Sequence, residues 1–455
     1  MNKRMKKKIA TLFVFAVVIR LPFFVMVIVN PDVPYTSHDS FRYDYIGRNL
    51  LSNNSYSMYL ERPEIKDPVR TPGYPLFLSA VYAVFPDKAI FVALIQLFID
   101  CGIVLLIFGM GRVLFSEKVG MVAGFLYGLN FHQALFTTQI LSEILFTLFL
   151  TSFILLFIIF LKQGKSYSLL WSGILLSVSI LIRPIALFLP IVPFFFLVKK
   201  KVPFRLMIIF LAIVILFPVC WSIRNSVVFD QFFLTKVHSV NMIAYGAANI
   251  IGHTRNLSRK ESEDVFMTNV KQKYALTDYE IGHYDDNPLI CDEIAGEAQK
   301  IIFSHPFIYL KNQILGVIHT ILPINIGFTA DVIKGKGTGG SNLKPVYTLF
   351  FRYIFRGKIL KAMGTFIDER VKSIGFGIWL LLGFMIIYQT ILYILAIIGI
   401  KKQLLTSVLI LFIVIIAYFI IIPGEVGEAR FRVPVEPIIA ILAALPFLNK
   451  SIMGS

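Results

Sequence analysis

The sequence predicts an all-α polytopic membrane protein, and three observations carry that expectation. The chain of 455 residues is 57% hydrophobic and 16% charged, with a mean hydropathy of +0.75. Soluble domains are nearer roughly 45–50% apolar and about 25% charged. The apolar residues gather into runs long enough to cross a bilayer, which takes about 20 residues. The cationic excess, 44 Lys and Arg against 27 Asp and Glu, falls largely in short clusters between those runs, where membrane proteins fix their orientation. This composition argues against a soluble enzyme, a disordered chain and a nucleic-acid-binding domain. Cys101, Cys220 and Cys291 lie far apart with no CxxC spacing, so neither a zinc site nor a disulfide framework is indicated.

The first apolar run, 9–29, follows the basic head Lys3-Arg4-Met5-Lys6-Lys7-Lys8. It is long for a signal-peptide core and lacks a small-x-small cleavage site before Asn30, so it reads as a retained span with a cytoplasmic N-terminus. Further runs cover 89–114, 119–136, 139–161, 168–182, 185–198, 204–223, 376–399, 404–422 and 434–448. Lys162 and Lys165, Lys199 to Lys201 with Arg205, Lys401-Lys402 and Lys450 punctuate them. Placing these clusters in the cytoplasm makes the spans alternate and gives about ten of them. Segments 30–88, 224–372 and 423–433 then fall on the outer face. Residues 306–330 are apolar enough for a span or a re-entrant helix, and 331–372 is basic; long loops translocate largely regardless of charge, so both are placed outside. The outer segments carry aromatic and aliphatic residues, which predicts short helices lying on the membrane. No repeat period is visible, and residues 1–455 read as a single membrane-embedded domain.

Charges in or beside spans are costly and mark functional sites by default. Asp39 follows the first span, and Phe41, Tyr45 and Leu50 after it have helical spacing. It can serve as an N-cap, as a proton-accepting carboxylate, or as both. Arg70 precedes the rigid turn Pro72-Gly73-Tyr74-Pro75. Glu143 opens a span, Arg183 stands at a helix break before Pro184, and Arg224 follows Trp221 at an outer end. Glu428, Arg430 and Arg432 lie in the loop before Pro434. By topology, Asp39, Arg70, Glu143, Arg183, Arg224, Arg430 and Arg432 share one membrane face. Asp100 lies deeper and can equally pair with Arg20. Arginines bind phosphate bidentately and keep their charge, and a phosphate embedded in a membrane is naturally a polyprenyl phosphate. With a carboxylate beside it, this set describes transfer of a sugar from a lipid phosphate to an acceptor hydroxyl. A transporter or flippase for lipid-linked sugars, and a glycan polymerase or ligase using lipid-pyrophosphate donors, share the outline. The first lacks its usual internal repeat here.

His38-Asp39-Ser40-x-x-Tyr43, Arg70-x-Pro72-Gly73-Tyr74-Pro75, Leu141-Ser142-Glu143, Leu181-Ile182-Arg183-Pro184, Trp221-x-x-Arg224-Asn225 and Glu428-x-Arg430-Phe431-Arg432-x-Pro434 form an ordered set. With it the chain resembles the GT-C integral-membrane glycosyltransferases. The resemblance is to the glycosyltransferase 39-like group, which holds protein O-mannosyltransferases and the lipid A aminoarabinose transferase. It implies a GT-C-type helix bundle with outer-face loop helices, and inverting single-displacement transfer from a polyprenyl-phosphate sugar. The acceptor is then an envelope glycan, lipid or protein, met at the extracytoplasmic face of the plasma or inner membrane. Asp39 matches the catalytic base and Glu143 a second acidic position. Arg70 matches a basic residue near the donor phosphate. Arg183, Arg224, Arg430 and Arg432, with Tyr43 and Tyr74, are the further donor contacts; His38, Asp100 and Glu428 are supporting positions. The loop 30–88 is then catalytic, and 224–372 supplies recognition. Ser40 stands where many protein mannosyltransferases have a second acid, which counts against a plain protein mannosyltransferase. The large C-terminal soluble domain of some relatives has no counterpart after the last span. No cofactor is certain: His38 beside Asp39 leaves room for a divalent cation, and no dense carboxylate cluster decides it.

Overall fold

A computed structural model describes residues 3–85, 88–335, 357–358, 360–361, 375–401 and 406–448. Most of 336–372, with Lys402 and Lys450 of the basic clusters, lies outside the described residues.

All described regular structure is helical. Helix α1 (Lys3–Val29) leads over a short turn to α2 (His38–Ser52), and α3 (Gly73–Val84) and α4 (Ala89–Leu114) follow. The run 119–136, expected as one span, breaks into α5 (Glu117–Gly128) and α6 (Phe131–Phe136). Asn130 makes the break: its side chain accepts the Gln133 N–H at 3.1 Å and caps a new helix. Next come α7 (Glu143–Gln163), ended by Gly164 at a φ of 70°, α8 (Ser166–Ile182), α9 (Ile191–Lys199) and α10 (Phe204–Phe229).

The outer segment folds as α11 (Val237–Asn241), a π turn at Met242–Ala247, α12 (Ala248–Arg255), α13 (Arg259–Tyr274), α14 (Asp278–Gly282), α15 (Pro288–Ser304), α16 (Pro306–Ile321) and α17 (Ile326–Lys334). Capping boxes start α13 (Ser258 with Glu261) and α14 (Thr277 with Glu280). The last elements are α18 (Phe376–Lys401), α19 (Ser407–Ile421), a 3-10 segment at Ala429–Val435 and α20 (Glu436–Ala444).

Five helices, α1, α4, α7, α10 and α18, are long and apolar enough to cross a membrane, and α3, α8, the Pro184–Lys199 segment and α19 are shorter apolar helices. The chain is a multi-pass membrane protein. The stretch 306–330 is not one helix: α16 ends at Ile321 and α17 starts at Ile326, and α16 meets α15 before it at a bend of 100°.

The main core lies around α7, the most enclosed of the five, with Phe153, Phe157 and Leu150 buried against α4 and α8. Helices α4 and α5 touch backbone to backbone, because a Cβ on Gly111 would stand 2.7 Å from the Gly120 Cα. A second glycine contact positions the site. Gly424, at a φ of 54°, packs against α16 at Gly316, and this fixes the loop that runs on to Arg430. A smaller core of Ile243, Phe266, Cys291 and Ile294 holds the outer segment together.

Candidate active site

Five separate stretches bring their charges together. Helix α2 is capped by Ser37, whose Oγ accepts the Asp39 N–H at 3.3 Å. Asp39 is therefore not the cap. It sits in the first turn, where unpaired N–H groups and the helix dipole favour a carboxylate. Arg70 enters from the turn before α3, Glu143 is the first residue of α7, and Arg430 comes from the 3-10 segment after α19. Arg183 stands in extended backbone (φ −141°) between α8 and Pro184.

The Asp39 carboxylate is held at both oxygens. Oδ1 accepts from Arg70 Nη2, and Oδ2 accepts from Arg430 Nη2 at 2.9 Å. Arg430 Nε stands 3.8 Å from Glu143 Oε1, which pairs with Arg183 Nη1 at 2.5 Å. The result is a continuous row, Arg70–Asp39–Arg430–Glu143–Arg183, of three fixed cations and two carboxylates. Aromatic faces seat the cations: Arg70 lies 5.1 Å from the Tyr43 ring centre, and Arg183 and Arg430 each lie 5.4 Å from that of Phe431.

Asp39, Arg70 and Arg430 keep 21%, 17% and 23% of their side chains exposed while Glu143 keeps 2%, so the row opens at the Asp39 end. Burial opposes the charge of Asp39, but the guanidinium groups of Arg70 and Arg430 outweigh it and hold the carboxyl well below the usual carboxylate range. Burial pushes the neighbouring Glu428 carboxyl up, against the pull of Arg430. Arg70 Nε and Glu143 Oε2 are buried without a hydrogen-bond partner among the described residues. Polar atoms left so are rare in a finished core and suit a site that takes a ligand.

The remaining expected residues divide. Tyr43 joins the site beneath Arg70, while Tyr74 is buried behind it, packing edge-on against Tyr43 and donating its hydroxyl to Gln96 at 2.9 Å. His38 is exposed beside Asp39. Arg224 is not in the row; it lies over the Tyr56, Trp221 and Phe229 rings and donates to Asn225 at 2.9 Å.

Arg432 and Asp100 lie elsewhere too. Arg432 is 1% exposed, pairs with Glu436 at 2.6 Å, and donates to the carbonyls of Thr320 at 2.8 Å, Leu322 and Pro323 at 2.7 Å. It therefore caps the C-terminus of α16, whose last carbonyls lack helical partners. Asp100 accepts from Arg20 Nε at 2.8 Å and from the Tyr127 hydroxyl at 2.6 Å, a closed polar knot inside the spans. Among the described residues, no three His, Cys, Asp or Glu side chains gather to hold a metal ion. Asp67, three residues before Arg70, belongs to this region and carries no signal in the sequence; Phe431 stands in the motif with Arg430 but has no role assigned from sequence.

Residues 68–223, which include Arg70, Glu143 and Arg183, match the family model described as dolichyl-phosphate-mannose-protein mannosyltransferase. No curated protein sequence matches the chain. The oligosaccharyltransferase of Archaeoglobus fulgidus, solved in its apo form, aligns with 96% of this chain at a TM-score of 0.50 and 12% identity. The chain has the GT-C fold. It spans 50% of the length of that oligosaccharyltransferase. ArnT from Cupriavidus metallidurans, solved bound to undecaprenyl phosphate, aligns over 87% of this chain and 81% of its own, at 12% identity and a TM-score of 0.42. Within the GT-C fold of this chain, the row of arginines and carboxylates gathers residues from both ends of the sequence into one accessible place.

Proposed function

We propose that this chain transfers a sugar from a polyprenyl-phosphate carrier to a hydroxyl of an acceptor, a glycan, lipid or protein, with inversion at the anomeric carbon. The observation that carries this reading is Asp39 set between Arg70 and Arg430 at the open end of the row. The donor named in the description of the matching family model supports a carrier monophosphate over a pyrophosphate.

The acceptor oxygen attacks the anomeric carbon, and the bond from that carbon to the phosphate oxygen breaks. The acceptor proton passes to Asp39, and the carrier phosphate leaves with the bonding pair. Arginines that tighten on the leaving phosphate as its charge grows lower the barrier. With both oxygens engaged by guanidinium groups, Asp39 is a weak base. A donor phosphate competes for those same groups, and its arrival frees the carboxylate to accept a proton. Glu143, paired with Arg183 and 3.8 Å from Arg430 Nε, stands behind Arg430.

In this reading the protein sits in the plasma or inner membrane with its N-terminus in the cytoplasm and the row on the extracytoplasmic face. The test is mass spectrometry of envelope glycans, lipids and glycoproteins from cells with the chain, without it, and with Asp39→Asn. The expected result is the same missing sugar on the same acceptor in the last two. An Asp39→Asn strain that keeps the modification lost in the deletion overturns Asp39 as the base.

A further inference from the structure

The main chain of Arg70 is held at both its N–H and its carbonyl although it lies outside any helix, and Asp67 is at the centre of the hold. The Asp67 side chain is fully buried. Its Oδ1 accepts the N–H groups of Val69 and Arg70, both at 2.8 Å. Its Oδ2 accepts from Arg42 Nε, and Arg42 also reaches Asp285 of the outer segment through Nη1. Arg42 stands on α2, less than one helical turn after Asp39.

From the other side, the Tyr56 hydroxyl donates to the Arg70 carbonyl at 3.0 Å, and the Tyr56 carbonyl accepts the Asp67 N–H at 2.8 Å. The Tyr56 ring is fixed in turn by Trp221, at 4.8 Å between centres, and by Arg224, at 5.3 Å. The Pro68 carbonyl accepts the Lys236 N–H at 3.1 Å, and the Val69 carbonyl accepts from the Thr235 hydroxyl. Each residue from 67 to 70 thus has at least one main-chain hydrogen bond, although the segment is irregular.

We propose that Asp67 is a positioning residue for the carrier-phosphate contact: it fixes the main chain of Arg70 and, through Arg42, ties it to the helix that carries Asp39. This rests on the reading above, in which Arg70 contacts the donor phosphate. A long arginine side chain gives a directional contact only if its base is fixed, because a free one loses rotamer entropy on binding. One carboxylate that holds both the Arg70 peptide and Arg42 sets the distance between the cation and the base. Arg224 acts at one remove, by holding Tyr56.

The test uses the full chain in lipid nanodiscs and undecaprenyl phosphate as the probe, with dissociation constants for wild type, Asp67→Ala, Asp67→Asn, Arg70→Gln and the Asp67→Ala/Arg70→Gln pair. Asp67→Ala is expected to weaken binding about tenfold, the size of losing one or two buried hydrogen bonds. Asp67→Asn keeps an oxygen for the two N–H groups but loses the Arg42 pair, and is expected to bind between wild type and Asp67→Ala. The double variant is expected to bind no more weakly than Arg70→Gln alone, since Asp67 acts through Arg70. A folded Asp67→Ala that binds as wild type does, or that adds its full loss to Arg70→Gln, overturns the proposal. Should Asp67→Ala not fold, Tyr56→Phe removes only the hydroxyl on the Arg70 carbonyl. It is then expected to weaken binding about threefold, without adding to Arg70→Gln, and full additivity overturns the proposal equally. A wild-type chain that does not bind the probe removes the functional reading itself, and the inference with it.

Discussion

Replacing Asp39 with asparagine is expected to abolish transfer and yet tighten the grip on the carrier. In the free protein the Asp39 carboxylate occupies Arg70 and Arg430, the latter at 2.9 Å, so it competes with any phosphate for the same guanidinium groups. Two unit charges about 4 Å apart interact by roughly 4 kcal/mol at an effective dielectric constant of 20. The Asp39 side chain is 21% exposed, and the competing phosphate recovers only part of the attraction. A share of about 1–2 kcal/mol follows, or roughly five- to thirtyfold in affinity. The assay is binding of undecaprenyl phosphate to wild type and Asp39→Asn in nanodiscs, beside a transfer assay on the same preparations. Loss of the base is expected to cost about 100-fold or more in rate. An Asp39→Asn protein that binds carrier as weakly as wild type, or more weakly, refutes the competition argument.

Three further outcomes follow from groups around the row. Burial pushes the Glu425 carboxyl up to about 7 from 4.5, against the pull of Asn249 and Arg259. The folded state therefore holds this proton more tightly than the unfolded state, and the contribution of Glu425 to stability falls as pH rises from 4.5 through about 7; thermal midpoints against pH are expected to flatten over that window in Glu425→Gln. Arg432→Met breaks a buried ion pair and uncaps α16, which is expected to lower stability by roughly 3 kcal/mol. Carrier affinity, measured on the fraction that stays folded, is expected to be little changed. Gly316→Ala would place a Cβ 1.7 Å from the Gly424 carbonyl oxygen, so about 2 kcal/mol of destabilisation from overpacking is expected in thermal unfolding.

The row was legible in the sequence because a chain with so few charges gives each of them weight. Glu143, Arg183 and Arg430 each stand at or beside the end of an apolar run, Asp39 and Arg70 fall in the segment between two runs, and the expected topology puts all five on one face. Arg432 looked the same in sequence, two residues from Arg430. What separates the two is a set of carbonyl partners at 320–323, more than a hundred residues away; no local pattern reports that α16 ends there. Asp100 was open between two roles, and its pairing with Arg20 is decided by how α1 packs on α4.

Spans were legible where one long helix crosses, as in α4 and α10. They were not where an apolar run is interrupted by a polar cap, as at Asn130, because hydropathy does not see a side chain that turns back to accept its own backbone. Asp67 gave no signal because its role is to hold backbone N–H groups, and any loop aspartate can offer to do that.

The most direct test is a structure of the chain solved with undecaprenyl phosphate. The account predicts the phosphate within hydrogen-bond reach of both Arg70 and Arg430, with Asp39 released from at least one of them and turned toward the open end of the row. A phosphate bound elsewhere, with the Asp39–Arg70 and Asp39–Arg430 pairs intact, contradicts it.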